Sequence, residues 1–422
     1  MPSPLRRLDF RDTAFGRMTH RRDSAPPRPP SQRPGDTGGA LPTLQVSADL
    51  ASALANGHPW IYRDHLPAKL DIEPGTWVRI VSGSWAGVGM CDPGSALAVR
   101  MYSREHAPDA AWFAASVRRA KARRAPLLDD GLTTAYRLIN GEGDGLPGVV
   151  VDVYGPIAVL RLDSAVLAKL TPWIVAAVEG SVEVKGVCQK TPGGLEVLSG
   201  RPPPDRLIVS EHGLRFFADI GSGQKTGLFL DHRENRHALE RWSRGKSVLN
   251  LFSYTGGFSL YAARGGARRV TSVDRAGDAM ARARDNVELN GLDPELFEFV
   301  TADAMTYLEQ LGREGQRFDV VISDPPSFAR NRMQRQRALR AYERLHGLAL
   351  GVLAPGGLYA AASCTSQVDV EAFKGSVAKA AARLERPLQI VMEAGQALDH
   401  PVMVGHPEGR YLKFVALRST SD

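Results

Sequence analysis

Ser247-Val-Leu-Asn-Leu-Phe-Ser-Tyr-Thr-Gly-Gly-Phe258 changes character halfway along. Its first half is an apolar run that predicts a buried strand over Ser247–Phe252, and its second half places two glycines before a helical stretch that runs towards Ala267. Glycine between a strand and a helix lets the backbone approach a ligand without a Cβ in the way. Working outward, further strands are expected at Arg269–Asp274, Glu298–Thr301, Phe318–Ser323 and Gly357–Ala362, with helices such as Asp278–Asn290 and Met333–Val352 between them. A hairpin from Ile208 precedes the series. Such alternation is the pattern of an α/β doubly wound parallel sheet, whose ligands bind outside the carboxyl ends of the strands.

The second strand ends at Asp274, 18 residues after Gly256. A carboxylate there can accept from two ribose hydroxyls, a geometry that serves NAD and S-adenosyl-L-methionine alike. Two features favour the latter. No G-x-G-x-x-G is present to cradle a pyrophosphate. Asp303 follows the third strand, where an acceptor can meet an adenine amino group. The segment Gly221-Ser-Gly-Gln224-Lys225-Thr226 evokes a phosphate loop but has Gln224 where glycine is required, and His232 with His237 does not form an H-E-x-x-H pair, so no metal is expected.

Asp324-Pro325-Pro326-Ser327-Phe328 follows the fourth strand, and Ser363-Cys364-Thr365 closes the fifth. Two prolines fix the first turn. Neighbouring strands would bring Cys364 and Asp324 to one pocket, whereas Cys91 and Cys188 read as small core residues. A thiol there has a chemical purpose. C5 of a pyrimidine is too weak a nucleophile to attack a methylsulfonium, and thiolate addition at C6 turns the ring into an enamine that can. Asp324 could hydrogen-bond near N3 of cytosine, which requires a protonated carboxyl or a protonated base. Arg330, Arg332, Arg335, Arg337, Arg340 and Arg344 follow the turn and read either as phosphate contacts or as a solvated helix face.

The 422-residue length implies two or three domains. Residues 1–40 form a Pro- and Arg-rich tail with eight Arg and four Asp, which is +4 of the net +7, so the remainder is only mildly basic. No signal-type or membrane-spanning apolar run occurs, and a cytoplasmic location is expected. Short strands at Trp77–Val81, Gly87–Met90 and Ala96–Val99 predict a small β-barrel over 41–110, preceded by a short helix near Ala48–Ala55. A basic amphipathic linker helix, Ala110–Arg124, opens a unit over 111–205. Its strands Gly148–Asp152, Ile157–Arg161 and Val184–Gln189, with a helix at Ala165–Glu179, imply an α+β layer. The doubly wound unit occupies 206–422.

Gln224-Lys-Thr-Gly-Leu-Phe-Leu-Asp-His-Arg-Glu-Asn235, Leu249–Gly257, Asp324–Phe328, Ser363-Cys364, His58-Pro-Trp-Ile61, Tyr136–Gly148, His400-Pro-Val402 and Pro407–Lys413 together resemble the bacterial 23S ribosomal RNA 5-methylcytosine methyltransferases. The resemblance implies a PUA-type RNA-binding barrel, a central α+β domain and a class I (Rossmann-like) methyltransferase domain. It also implies S-adenosyl-L-methionine as cofactor and 23S rRNA as partner. The residues themselves give no reason to expect a metal or a membrane, and both a monomer and a homodimer are open. Carried onto this chain, it makes Cys364 the nucleophile with Asp324 beside it. The cofactor would lie on Asn250, Phe252, Ser253, Tyr254, Gly256, Asp274, Arg275, Asp303, Ala304, Asp324 and Pro325, and RNA on Arg330, Arg332, Arg335 and Arg337. Ser327, His232 and Thr365 depart from the commoner Lys, Gln and Ser. A guanine N7 rRNA methyltransferase of similar architecture is the nearest alternative, and Cys364 discriminates against it because a ring nitrogen needs no covalent activation. A non-catalytic RNA-binding ribosome-assembly protein would not need Asp274, Asp303, Asp324 and Cys364 together.

Overall fold

The structure, a computed structural model, describes residues 40–221, 226–329 and 331–420. The basic tail, apart from Ala40, therefore lies outside the described residues, as do Gln224, Lys225 and Arg330. Five short strands come first: β1 (Thr43–Gln45), β2 (Trp60–Tyr62), β3 (Trp77–Ser82), β4 (Trp85–Cys91) and β5 (Leu97–Ser103), with α1 (Leu50–Ala55) after β1. They form one sheet in the order β1-β3-β4-β5-β2 around Leu44, Ile61, Val78, Ile80 and Val99.

A second five-stranded sheet follows α2 (Ala110–Arg123) and α3 (Ala125–Leu128). Its strands are β6 (Ala135–Asn140), β7 (Val149–Tyr154), β8 (Ile157–Leu162), β9 (Gly186–Thr191) and β10 (Gly194–Gly200), in the order β10-β9-β8-β7-β6. Only β8 and β9 are parallel, and α4 (Thr171–Glu179) makes the crossover between them. Three of these strands were expected. β6 and β10 were not, because β10 is largely exposed and β6 carries Arg137, whose charge is neutralised by buried Asp152 at 2.7 Å. α2 is not a free linker, since its Phe113 and Val117 share a core with Leu138, Ile174 and Val178. Arg124, counted on its basic face, is a correction. It is 1% exposed and grips Asp144 at 2.6 Å, so it belongs to the interior.

After the hairpin β11 (Leu207–Glu211) and β12 (Leu214–Ala218), the chain alternates through α5 (Arg233–Ser243), β13 (Ser247–Leu251), α6 (Gly257–Arg264), β14 (Arg269–Asp274), α7 (Gly277–Leu289) and β15 (Phe297–Thr301). It continues with α8 (Ala304–Arg313), β16 (Phe318–Ser323), α9 (Arg335–Gly351), β17 (Leu353–Ser363), α10 (Val370–Arg383), β18 (Leu388–Ala394) and β19 (Lys413–Ser419). The seven strands order as β15-β14-β13-β16-β17-β19-β18, with β19 antiparallel to both neighbours. This is the expected doubly wound α/β sheet. All five residues of β13 are buried, as a central strand covered on both faces must be. Val248, Val320, Ile322 and Ala360 pack with α5 and α6, while Leu249, Leu251, Val321 and Tyr359 pack with α8, α9 and α10. The strand order reverses between β13 and β16, and that reversal opens the crevice described below.

The described residues form one compact unit. A buried polar junction ties the second sheet to the third. Asp399, in the loop before β19, accepts from Arg137 N at 2.7 Å and from Arg233 Nη2 at 2.6 Å. Its carbonyl accepts from Arg124 Nη2 at 2.8 Å. Burial pushes the Asp399 carboxyl up, but His400 and Arg233 outweigh it and hold it well below the usual carboxylate range.

Candidate active site

The carboxyl ends of β13, β14, β16 and β17 surround a cavity of about 610 Å³, a size suited to a nucleoside-sized ligand. Phe252, Ser253, Tyr254, Asp274, Arg275, Asp303, Asp324, Pro325 and Cys364 all line it. Three other expected cofactor residues lie behind its wall. Asn250 is 1% exposed and donates through Nδ2 to Ser259 Oγ at 2.9 Å. Gly256 is the N-cap of α6, and Ala304 is buried at the start of α8.

The turn between β13 and α6 is tightly determined. Phe252 and Tyr254 have φ of 55° and 48°, and Gly256 has 81°. Two non-glycine residues in the left-handed region are a strained arrangement that persists only where surrounding contacts enforce it. One enforcing contact is visible: Asp274 Oδ2 accepts from Tyr254 N at 2.9 Å, while Oδ1 accepts from Ala276 N at 2.9 Å. Each oxygen keeps acceptor capacity for a further donor. Asp303 caps α8 through Oδ1, taking Met305 N at 3.0 Å and Thr306 N at 3.1 Å, and also lines the cavity. Two carboxylates at neighbouring strand ends, with no glycine cradle for a pyrophosphate, form an acceptor set suited to the hydroxyl and amino groups of S-adenosyl-L-methionine.

The opposite corner holds Asp324 and Cys364. β16 and β17 are parallel neighbours, with Ser323 opposite Ala361, so Asp324 and Cys364 emerge on one edge. Their two loops are latched by Thr365. Its Oγ1 accepts from Phe328 N at 3.2 Å and lies 2.7 Å from Tyr342 Oη and 3.2 Å from Ser327 Oγ. Cys364 is half-buried, unlike the buried Cys91 and Cys188. Burial pushes the Cys91 thiol up to about 11 and raises that of Cys188.

Four further residues, none of them among the expected site residues, lie in or behind this corner. His232 Nε2 lies 3.3 Å from Asp324 Oδ1. Thr365 and Tyr342 form the latch. Lys413, 3% exposed, donates from Nζ to Thr365 O at 2.6 Å and Tyr411 O at 2.8 Å. Tyr411 in turn donates to Asp231 Oδ2 at 2.7 Å. His232 and Thr365 stand out in the sequence only as departures from the commoner residues. Of the arginine run, Arg332 and Arg337 are exposed. Arg335 is engaged, donating to Gln367 O at 3.1 Å and to Asp369, the N-cap of α10, at 2.9 Å. Among the described residues no group of His, Cys, Asp and Glu is arranged to hold a metal, and no helix is long and apolar enough to cross a membrane.

The family model described as S-adenosylmethionine-dependent methyltransferase matches residues 158–389, and a PUA-like domain model matches residues 44–104. The chain is 38% identical over 399 residues to ribosomal RNA large subunit methyltransferase I of Klebsiella pneumoniae (strain 342), covering 90% of this chain and 99% of that protein. It is 37% identical over 386 residues to the protein of the same name from Cronobacter sakazakii, covering 88% and 97%. Among solved structures, SMU.776, described as a methyltransferase and complexed with SAH, superposes with a TM-score of 0.82 at 27% identity, covering 90% of this chain and 100% of that one. A chain described as a SAM-dependent methyltransferase from Streptococcus mutans gives 0.80 at 26% identity, with the same coverage. The doubly wound sheet is thus a Rossmann-like methyltransferase domain, the first sheet is PUA-like, and S-adenosyl-L-methionine is the cofactor. The chain belongs to the S-adenosylmethionine-dependent methyltransferase family that includes the ribosomal RNA large subunit methyltransferase I proteins.

Proposed function

We propose that the protein methylates C5 of a cytosine in 23S ribosomal RNA through a covalent adduct between Cys364 and C6. The observation that carries this reading is the half-exposed Cys364 at the end of β17, in one cavity with Asp324 at the end of its parallel neighbour β16. The large-subunit RNA substrate in the names of the relatives supports the choice of RNA.

In this reading the cofactor lies along Phe252–Tyr254, Asp274, Arg275, Asp303 and Pro325, and it supplies an electrophilic methyl group on a sulfonium. Asn250, Gly256 and Ala304 act from behind the wall, shaping the backbone that meets it. The Cys364 thiolate adds to C6, placing electron density on C5, and Asp324 meets the pyrimidine edge near N3. Once C5 carries the methyl group, loss of its proton and departure of the thiolate restore the aromatic ring. The PUA-like unit over 41–110, the central unit over 111–205 and exposed Arg332 and Arg337 contact RNA outside the cavity. A cytoplasmic location follows from such a substrate.

The test is direct. Unmodified large-subunit rRNA is incubated with the protein and methyl-labelled S-adenosyl-L-methionine, then digested to nucleosides. Label is expected in 5-methylcytidine. Label in 7-methylguanosine instead would falsify the pyrimidine reading and favour the N7 alternative.

A further inference from the structure

His232 closes the turn that leads into α5 and is 3% exposed, yet its ring reaches the cavity wall. Its orientation is fixed from both sides. Asn235 Nδ2 lies 3.1 Å from His232 Nδ1 and 3.0 Å from the carbonyl oxygen of Gly395. A carbonyl oxygen can only accept, so the Asn235 amide must present its NH2 at this point. One amide hydrogen goes to Gly395 O and the other to His232 Nδ1. Nδ1 is therefore the accepting nitrogen, and the ring proton sits on Nε2. Nε2 itself lies 3.3 Å from Asp324 Oδ1. Phe258 and Phe414 pack against the ring with centroids 5.5 and 6.1 Å away and hold its plane.

Asp324 needs such a partner. Pro325 and Pro326 fix the backbone of its turn, but they do not set its side-chain torsions, and the terminal carboxylate torsion is broad by nature. The histidine approaches one oxygen of the carboxylate, Oδ1, and a donor there would leave Oδ2 for a ligand.

We infer that His232 is a positioning residue: its Nε2–H pins Oδ1 of Asp324, so that Oδ2 is the oxygen offered to the target base. The inference rests on the proposed contact of Asp324 with the base. It assigns His232 no proton transfer, and it makes the Asn235–His232–Asp324 line a chain of oriented donors from α5 to the reaction centre. Misplacing a reacting group by about 1 Å can cost on the order of 100-fold in rate, which is the scale at stake for an unpinned carboxylate.

The test compares His232→Gln, which keeps an N–H donor, with His232→Leu, which has none. Total methyl transfer to large-subunit rRNA gives kcat and KM, and calorimetry gives the affinity for S-adenosyl-L-methionine. His232→Leu is expected to lose roughly 10- to 100-fold in kcat, with RNA KM and cofactor affinity within about threefold of native. His232→Gln is expected to recover most of that loss. The inference is overturned if His232→Leu keeps native kcat, or if His232→Gln is as impaired as His232→Leu. Should the leucine variant not fold, His232→Asn, a polar chain too short to reach Oδ1, replaces it with the same expected outcome. Methyl groups are counted before the nucleoside is identified. A different labelled base would therefore refute the cytosine reading and still leave the comparison of donors intact.

Discussion

Lys413 Nζ donates to the carbonyl oxygen of Thr365 at 2.6 Å, so a buried cation is fastened to the residue immediately after Cys364. Its backbone is placed by the pairing of β19 with β17, where Lys413 lies opposite Ser363. Burial lowers its pKa to about 8, and the Cys364 thiolate acts in the opposite sense. That coupling is mutual: a thiolate that favours the ammonium is favoured by it. Lys413→Met should therefore slow the alkylation of Cys364 by iodoacetamide at neutral pH by at least about threefold. Mass spectrometry of the modified peptide measures this against native protein, and an unchanged rate would separate the two groups.

The same lysine gives a pH dependence of stability with a definite sign. Its pKa of about 8 lies below the ordinary 10.5, so between these values the unfolded chain binds the proton more tightly. The cost of burying the cation is full below about pH 8 and fades as pH rises towards 10.5. Lys413→Met has no such titration. Urea midpoints taken at pH 7.5 and pH 10 should show native protein gaining on the variant at the higher pH.

Thr365→Val keeps the shape of the latch and removes its oxygen. Phe328 N and the buried Tyr342 hydroxyl each lose a partner, although Tyr342 retains Ser363 Oγ at 2.8 Å. A buried donor left unsatisfied costs about 1–3 kcal/mol. Chemical denaturation should show a loss in that range, and kcat should fall more than cofactor affinity because the loops carrying Asp324 and Cys364 are no longer held together.

Asp399→Asn removes the charge opposite Arg233, both side chains being fully buried. Breaking a buried pair on one side costs about 3–5 kcal/mol. The effect should be at the lower end, since Glu234 lies 3.5 Å and Glu211 3.8 Å from the same guanidinium. Because the Asp399 carboxyl is held low in the fold, its contribution is present above the ordinary carboxylate range and is lost as pH falls through and below it. The native and variant urea midpoints should therefore converge under acid conditions.

How much of this was legible in the sequence depends on the range of the contact. The β13 turn, Asp274 and the Asp324-Pro-Pro motif announce themselves because strand, turn and ligand-facing residue are adjacent in the chain. The place of Cys364 at the cavity beside Asp324 was legible through the expectation that strands four and five are neighbours. The contacts of His232, Thr365 and Lys413 were not, because each touches a residue brought close only by the fold. Tyr411 and Asp231, for example, are 180 positions apart. Charge pattern misled for the same reason. Arg118 and Arg124 look alike in the sequence, yet Arg118 is exposed and Arg124 is sequestered by Asp144. The strand carrying Asn250 and the turn after it were read from the sequence, but a residue type cannot say that the Asn250 amide turns to Ser259 instead of into the cavity.

Asp399 has a consequence for the order in which the protein can be made. Arg124 waits for a carbonyl 275 positions downstream, and the β6 backbone at Arg137 waits for a carboxylate 262 positions downstream. During vectorial synthesis the second sheet emerges long before the acceptors that complete its edge. It can collapse around its own apolar core, but it cannot close that edge against water until Asp399 has left the tunnel. Nascent chains stalled before residue 399 should therefore stay open to protease between the second and third sheets, and resistance should arrive late and all at once.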